Sequence, residues 1–246
     1  MDIYSEIDGL CRAKNEGSVL TNGAEPTPCV NYITNLLDTL GIEYYLDKFK
    51  TSRSIGQEVY GYNIMIPGTN GRMVMAHHDI VNPKSDNAND NTASIICAIA
   101  LKMKVPELGL AIVDGEEFGG IGSSYLSMLI NEGRFGEIEW VLNLELSGIG
   151  GNNFFIGRIQ EESALKNRIL DLFPDTPEIG VPFNDSVILR SNNIDSININ
   201  PVPRLESGEL DLSPLYLCHS IEDSLDKISK EDMKTYVEEI LVPICS

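Results

Sequence analysis

The sequence predicts an α/β fold built on one mixed, mostly parallel, twisted sheet with helices on both faces. Apolar runs typical of buried strands alternate along the chain with amphipathic or apolar stretches of helical length. The 246 residues, of which 42% are hydrophobic, are enough for a full core. No internal repeat, low-complexity segment or linker interrupts the chain, so we expect residues 1–246 to form a single domain.

The first half of the chain is predicted to begin with helices and then to alternate strand and helix. The predicted helices span residues 4–13, 27–40 and 91–104, and the predicted strands span residues 44–49, 60–66, 73–76 and 108–113. The second helix is the clearest, because Pro28 lies in its first turn and Gly41 ends it. The first two strands are expected to form a hairpin.

The second half continues the alternation. Strands are predicted at residues 138–146, 154–157 and 194–200, and helices at 123–130, 163–172, 186–190 and 229–241. Ser229 is expected to cap the last helix, with Asp232 three residues further on.

Composition excludes two classes of partner. The formal net charge of −19 repels a phosphate backbone, so nucleic-acid binding is not expected. No apolar run approaches the roughly 20 residues of a membrane helix. The acidic N-terminus does not resemble a signal peptide, and the five cysteines show no C-x-x-C pair. These features favour free thiols in the cytoplasm.

The strand at residues 73–76 ends abruptly on His77-His78-Asp79. A histidine and a carboxylate spaced H-x-D suit a metal ligand and its orienting partner, because a ligating imidazole usually donates its other N–H to a carboxylate. The spacing therefore indicates a metal role for His77 and an orienting role for Asp79.

Further acidic residues and one histidine follow other strands. Ligands gather beyond the carboxyl ends of strands in such sheets, so these side chains are expected to lie together. Asp90 precedes a predicted helix and is alternatively an N-cap, and Glu145 lies within an apolar strand, where a carboxylate needs a partner or a metal. Glu116 and Glu117 are adjacent; only one need bind metal, which leaves the other free to accept a proton.

Together these residues predict two zinc-like divalent ions that share one bridging carboxylate. The predicted ligands are two histidines and three carboxylates, namely His77, Asp90, Glu117, Glu145 and His219. Cys218 directly precedes His219 and is a further candidate, but adjacent side chains rarely point at the same atom.

The order of these motifs resembles the co-catalytic zinc aminopeptidases of clan MH, which include bacterial leucyl aminopeptidases and the related glutaminyl cyclases. The similarity covers roughly residues 72–229 in scattered blocks. The most specific blocks are GEEFGGIGSSYL at residues 115–126 and HSIEDSLD at residues 219–226. Where the family often has S-D-H, this chain has Asn184-Asp185-Ser186 and lacks the histidine.

The resemblance implies a role for each candidate. His77 and Glu145 would bind one metal, Glu117 and His219 the other, and Asp90 would bridge them, although residue pattern alone leaves open which carboxylate serves which ion. Asp79 would orient His77, and Glu116 would be the general base. The resemblance also implies a cis peptide bond between Asp90 and Asn91. His78 is expected at the rim of the site.

The leading functional hypothesis is a zinc-dependent aminopeptidase that acts on peptide or aminoacyl substrates. Alternatives are a glutaminyl cyclase-type acyltransferase with one zinc, a deacylase of small amides, and a non-catalytic binding protein. The complete ligand set favours hydrolysis, and the presence of Glu116 argues against a binding protein.

Overall fold

The computed structural model describes residues 2–17, 25–54 and 57–246. Its centre is an eight-stranded sheet, in the spatial order β1-β2-β4-β3-β5-β8-β6-β7. The strands are β1 (Tyr45–Ser54), β2 (Gln57–Ile66), β3 (Arg72–His77), β4 (Gly109–Val113), β5 (Trp140–Leu144), β6 (Phe154–Gly157), β7 (Glu178–Ile179) and β8 (Ser196–Pro201). Four of the seven pairings are parallel, which confirms the predicted mixed, mostly parallel sheet.

Helices account for most of the remaining regular structure. They are α1 (Ile7–Gly17), α2 (Pro28–Leu40), α3 (Ala93–Lys104), α4 (Ile121–Asn131), α5 (Ala164–Leu172), α6 (Asp185–Ser191), α7 (Lys230–Thr235) and α8 (Val242–Cys245). Helix α2 begins and ends as predicted: the Thr27 side chain accepts a hydrogen bond from the Val30 N–H, and Gly41 adopts a left-handed φ of 68°. No helix in the described ranges is both long and apolar enough to span a membrane.

Apolar layers cover both faces of the central strands. Successive side chains of a strand point to opposite faces. In β3, Val74 and Ala76 therefore join one apolar cluster with α2 and α3, whereas Met73 and Met75 join a second cluster with α4. The burial of every residue of β4 and β5 follows from the same double coverage.

The structure differs from the predicted elements mainly at their ends. Strand β5 stops at Leu144, so Glu145 lies just beyond the strand and not within it. Helix α3 begins at Ala93, because residues Ala88–Thr92 form an irregular turn with non-helical backbone angles at Asp90. The short strand β7 was not predicted, since two residues carry no periodicity.

Candidate metal centre

The site lies where three neighbouring parallel strands end. Strand β3 ends at His77, and its parallel neighbours β4 and β5 lead into the loop with Glu116 and Glu117 and into Glu145. The predicted ligands are thus brought to one edge of the sheet, as expected for ligand sites in such folds.

The carboxylate of Asp90 lies between the two histidines. Its Oδ1 is 3.3 Å from Nε2 of His77, and its Oδ2 is 3.5 Å from Nε2 of His219. Each oxygen of one carboxylate therefore faces a different imidazole, which is the arrangement that a bridging ligand requires. Asp90 is no N-cap, because helix α3 begins three residues later and no side chain caps it.

Each of the two other predicted carboxylate ligands, Glu145 and Glu117, lies beside a different histidine. Oε2 of Glu145 lies 3.6 Å from Nε2 of His77, and Oε2 of Glu117 lies 2.9 Å from Nε2 of His219. Two ligands on one tetrahedral zinc, with bonds of about 2.0–2.1 Å, are separated by about 3.3 Å. The observed separations fit two such sites that share Asp90.

The electrostatics of the site also fit cations. Burial raises the pKa of Glu117 to about 7 and that of Glu116 to about 10. Burial likewise raises the pKa of Asp185, which interacts electrostatically with His77, to about 7. So many buried carboxyl groups are costly unless positive charge joins them. The donor chemistry, which is imidazole nitrogen and carboxylate oxygen, suits divalent ions.

Asp79 supports both halves of the site. Its Oδ1 lies 3.4 Å from Nδ1 of His77. The same carboxylate accepts backbone hydrogen bonds from Glu116 and Glu117, each at 3.0 Å. Although burial opposes ionisation, these contacts hold the pKa of Asp79 below its usual value. One ionised carboxylate therefore orients an imidazole and fixes the backbone of the glutamate pair.

Two asparagines that the sequence analysis missed hold Glu145. The Nδ2 groups of Asn143 and Asn91 donate to its Oε1 and Oε2 at 2.9 and 3.1 Å. Both asparagines are adjacent or nearly adjacent in sequence to a predicted ligand, which was the available signal. The peptide bond between Asp90 and Asn91 is cis, as the resemblance implied.

Residues 64–242 match the sequence profile of Peptidase family M28. The chain belongs to this family. This finding confirms the resemblance to the clan MH enzymes.

Solved structures show the same fold at low identity. A glutaminyl cyclase from Porphyromonas gingivalis is 17% identical with a TM-score of 0.75, over 99% of this chain and 96% of that chain. The LapA aminopeptidase from Legionella pneumophila is 13% identical with a TM-score of 0.70, over 99% and 70%. BSAP, a zinc aminopeptidase from Bacillus subtilis, is 20% identical with a TM-score of 0.60, over 76% and 49%. No curated protein sequence matches the chain.

His78 lies inside this M28 chain and not at the rim, so that expectation was wrong. Its side chain is fully buried, and its Nε2 donates to the carbonyl oxygen of Tyr62 at 2.9 Å. Consecutive side chains leave an extended segment in opposite directions, so His77 faces the site while His78 faces away from it. Although burial disfavours its charged form, the nearby Asp114 carboxylate raises the pKa of His78 to about 9.

Cys218 and His219 point at the same atom, contrary to the expectation for adjacent residues. The Sγ of Cys218 lies 2.8 Å from Oδ2 of Asp90, the oxygen that also faces His219. The backbone explains the convergence, because His219 has a left-handed φ of 62°. A side-chain pattern cannot reveal this angle.

A cavity of about 470 Å³ opens onto the M28 site. Its chemically active side includes His77, Asp90, Glu116, Glu117, Glu145, Cys218 and His219. The lining also includes an apolar wall of Leu146, Val181, Pro182, Phe183 and Leu215, together with the amides of Asn184, Asn198 and Asn200. No lysine or arginine of the described ranges lines the cavity. The cavity lining therefore combines several acidic side chains with an apolar wall.

Proposed function

We propose that this chain is a dizinc aminopeptidase that removes N-terminal residues from peptides. The observation that carries the proposal is the position of Asp90, whose two oxygens face two different histidines. A single-ion site has no need of that arrangement. The whole chain, residues 1–246, is proposed to act as one metallopeptidase-like domain.

Each ion would be held by one histidine, one glutamate and the shared aspartate. One set is His77, Glu145 and Asp90, and the other is His219, Glu117 and Asp90. Divalent ions in such a pair polarise a substrate carbonyl and lower the pKa of water.

Glu116 is proposed as the general base. Its backbone is fixed by Asp79, and its side chain lines the cavity without belonging to either ligand set. It would accept a proton from the attacking water and deliver that proton to the leaving amine. Burial raises the pKa of Glu116 to about 10, and cations in the site would bring that pKa down towards a working range.

The charge of the cavity favours an amino terminus as the group recognised. The carboxyl groups of Asp79, Asp90, Glu116, Glu117, Glu145 and Asp185 lie in or beside the site. Even with Glu116 and Asp185 protonated, the carboxylates of Asp79, Asp90, Glu117 and Glu145 balance the four positive charges of two divalent ions, and any further ionisation leaves the site negative. A substrate ammonium group would be attracted, and a C-terminal carboxylate would be repelled. The apolar wall suits a hydrophobic N-terminal side chain.

A glutaminyl cyclase-type activity is the second candidate. It is favoured by the match to the Porphyromonas gingivalis glutaminyl cyclase, which spans 99% of this chain and 96% of that protein. That reaction needs no hydrolytic water, so the two activities are separable by their products.

The test combines metal analysis with a substrate panel on the purified, metal-reconstituted protein. The panel contains aminoacyl amides, N-acylated amino acids and peptides that begin with glutamine. We expect two ions per chain and hydrolysis of aminoacyl amides, with hydrophobic residues preferred. Formation of pyroglutamyl peptides without hydrolysis would establish the cyclase instead. Cleavage of the N-acyl compounds alone would indicate a deacylase, and fewer than about one ion per chain would refute the metal centre.

A further inference from the structure

We propose that the thiolate of Cys218 is an additional ligand of the metal ion that His219 holds. The inference rests on the proposed metal centre and deepens it. It makes the two sites chemically unequal, one with nitrogen and oxygen ligands and the other with nitrogen, oxygen and sulfur ligands.

The distances bring the sulfur into the ligand set. Sγ of Cys218 lies 2.8 Å from Oδ2 of Asp90, and Nε2 of His219 lies 3.5 Å from that oxygen. Ligand atoms of these three residues all lie within 4.8 Å of one another. Zinc bonds of about 2.3 Å to sulfur and 2.0 Å to oxygen separate the two atoms by about 3.5 Å. A small side-chain rotation would therefore bring Sγ within bonding distance of an ion. Binding of the ion would displace the thiol proton, which is released to solvent.

The backbone of the turn aims both side chains inward. The Ser220 N–H donates to the Leu217 carbonyl oxygen at 3.0 Å. Cys218 has φ −49° and ψ 130°, and His219 has φ 62°, values that match the central residues of a type II turn. The second central position of such a turn normally holds glycine, because a side chain disfavours positive φ. The histidine at this position points to a requirement of the site.

Cys218 differs from the other cysteines in its surroundings. Cys11, Cys29, Cys97 and Cys245 are buried in the apolar interior, whereas Cys218 is half-buried and lines the cavity. A soft sulfur ligand increases preference for zinc, cadmium or cobalt over manganese or magnesium. We therefore expect the ion at His219 to be the more selectively bound of the two.

Cobalt substitution of the full-length protein tests the proposal. A thiolate bound to Co²⁺ gives an intense near-ultraviolet charge-transfer band that nitrogen and oxygen ligands do not give. The wild-type protein should show this band at two Co²⁺ per chain. Cys218→Ser should lose the band, while Cys11→Ala, which removes a buried thiol outside the site, should retain it.

Metal selectivity provides a second readout. In competition titrations, Cys218→Ser should lose Cd²⁺ affinity on the order of tenfold or more, with little change in Mn²⁺ affinity. Two bound Co²⁺ without the band in the wild-type protein would overturn the proposal and leave the dinuclear centre intact. A band that survives in Cys218→Ser would also overturn it, and the thiol would then serve only as a hydrogen-bond donor to Asp90. A protein that binds no Co²⁺ would refute both the ligand and the proposed metal centre.

Discussion

At the scale of single residues, Glu116 and Glu117 are neighbours with different surroundings. The backbone N–H groups of both residues donate to the Asp79 carboxylate, which restricts the backbone conformation of the two glutamates. The side chain of Glu117 reaches His219 at 2.9 Å, whereas that of Glu116 lines the cavity outside the ligand sets. We therefore propose that these adjacent residues divide metal binding and proton transfer between them.

Isosteric amides at the two positions should give opposite phenotypes. Glu116→Gln should retain both ions and lose about 10²–10⁴-fold in turnover, the usual contribution of a positioned base. Glu117→Gln should instead lower the metal content, because it replaces a charged ligand by a neutral one. Metal stoichiometry and peptide hydrolysis are measured on both variants side by side. Hydrolysis by Glu116→Gln at the wild-type rate would contradict the assigned mechanism.

Protons should compete with metal at Glu117. Burial raises the pKa of this ligand to about 7, so its protonated form predominates below neutral pH in the metal-free protein. An ion that binds there must displace that proton. Co²⁺ affinity measured by calorimetry should therefore fall as the pH is lowered from about 8 to about 6. Equal affinities at the two pH values would show that Glu117 is already ionised.

His78 should contribute to stability and not to metal binding. Its removal leaves the buried Tyr62 carbonyl without this donor, at a cost of about 1–3 kcal/mol. We expect His78→Ala to lower the free energy of unfolding in urea by about that amount, with two ions still bound. The exposed Lys84→Ala serves as the control, with a change within about 0.5 kcal/mol. Unchanged stability in His78→Ala would show that the hydrogen bond to the Tyr62 carbonyl contributes no measurable stability.

At the scale of elements, the irregular turn Ala88–Thr92 connects the proposed metal site to the loop that precedes α7. The buried Asp223 accepts the backbone N–H groups of Asn89 and Asp90, at 2.7 and 3.0 Å. These bonds replace those that a regular helical turn would make. The backbone of Asp90, the proposed bridging ligand, is thus held by a residue distant in sequence.

Asp223→Asn should loosen this turn without touching an ion. The amide keeps the shape of the carboxylate, but its NH₂ group opposes one of the two backbone donors. We expect a loss of about 1.5–3 kcal/mol in unfolding free energy and weaker binding of metal. Asp226→Asn, three residues along and exposed, is the matched control. Wild-type stability and wild-type metal affinity in Asp223→Asn would show that the conformation of the turn does not depend on Asp223.

At the scale of the whole molecule, we expect the excess of acidic residues to make stability depend on bound cations. The net charge is −19, and several carboxylates are concentrated at one edge of the sheet. Ions that bind the folded chain alone stabilise it by mass action, by about 2.7 kcal/mol at 100 times Kd. We therefore expect folding and metal binding to be linked.

Removal of metal should lower the melting temperature by several degrees. Reconstituted protein is dialysed against EDTA, and thermal unfolding is followed by circular dichroism. Each kcal/mol lost should shift the melting temperature by about 2–4 °C in a chain of this size. His77→Ala, which lacks a ligand, should respond less to the same treatment. An identical melting temperature with and without EDTA would uncouple stability from the metal centre.

The sequence by itself determined the fold class and the candidate site. Strand and helix periodicities predict the alternation that the eight-stranded sheet confirms. The ligand candidates were identifiable because a carboxylate or histidine beside a buried apolar strand is unusual, and because ligands gather at the carboxyl ends of such strands. The lengths of α2 and β6 were predicted closely, since capping residues and apolar runs are local signals.

The residue pattern left open which ligands meet, the family resemblance implied one pairing, and the tertiary structure shows that pairing. It pairs Glu145 with His77 and Glu117 with His219, a choice that no local pattern contains. The left-handed backbone angle at His219 accompanies the approach of Cys218 to Asp90. The alternation of side chains after β3 buries His78. The physical reason is that side-chain direction depends on backbone angles and on contacts between segments far apart in sequence. Hydrophobic periodicity predicts burial and the type of element. It predicts neither the backbone angles of single residues nor the contacts between distant segments.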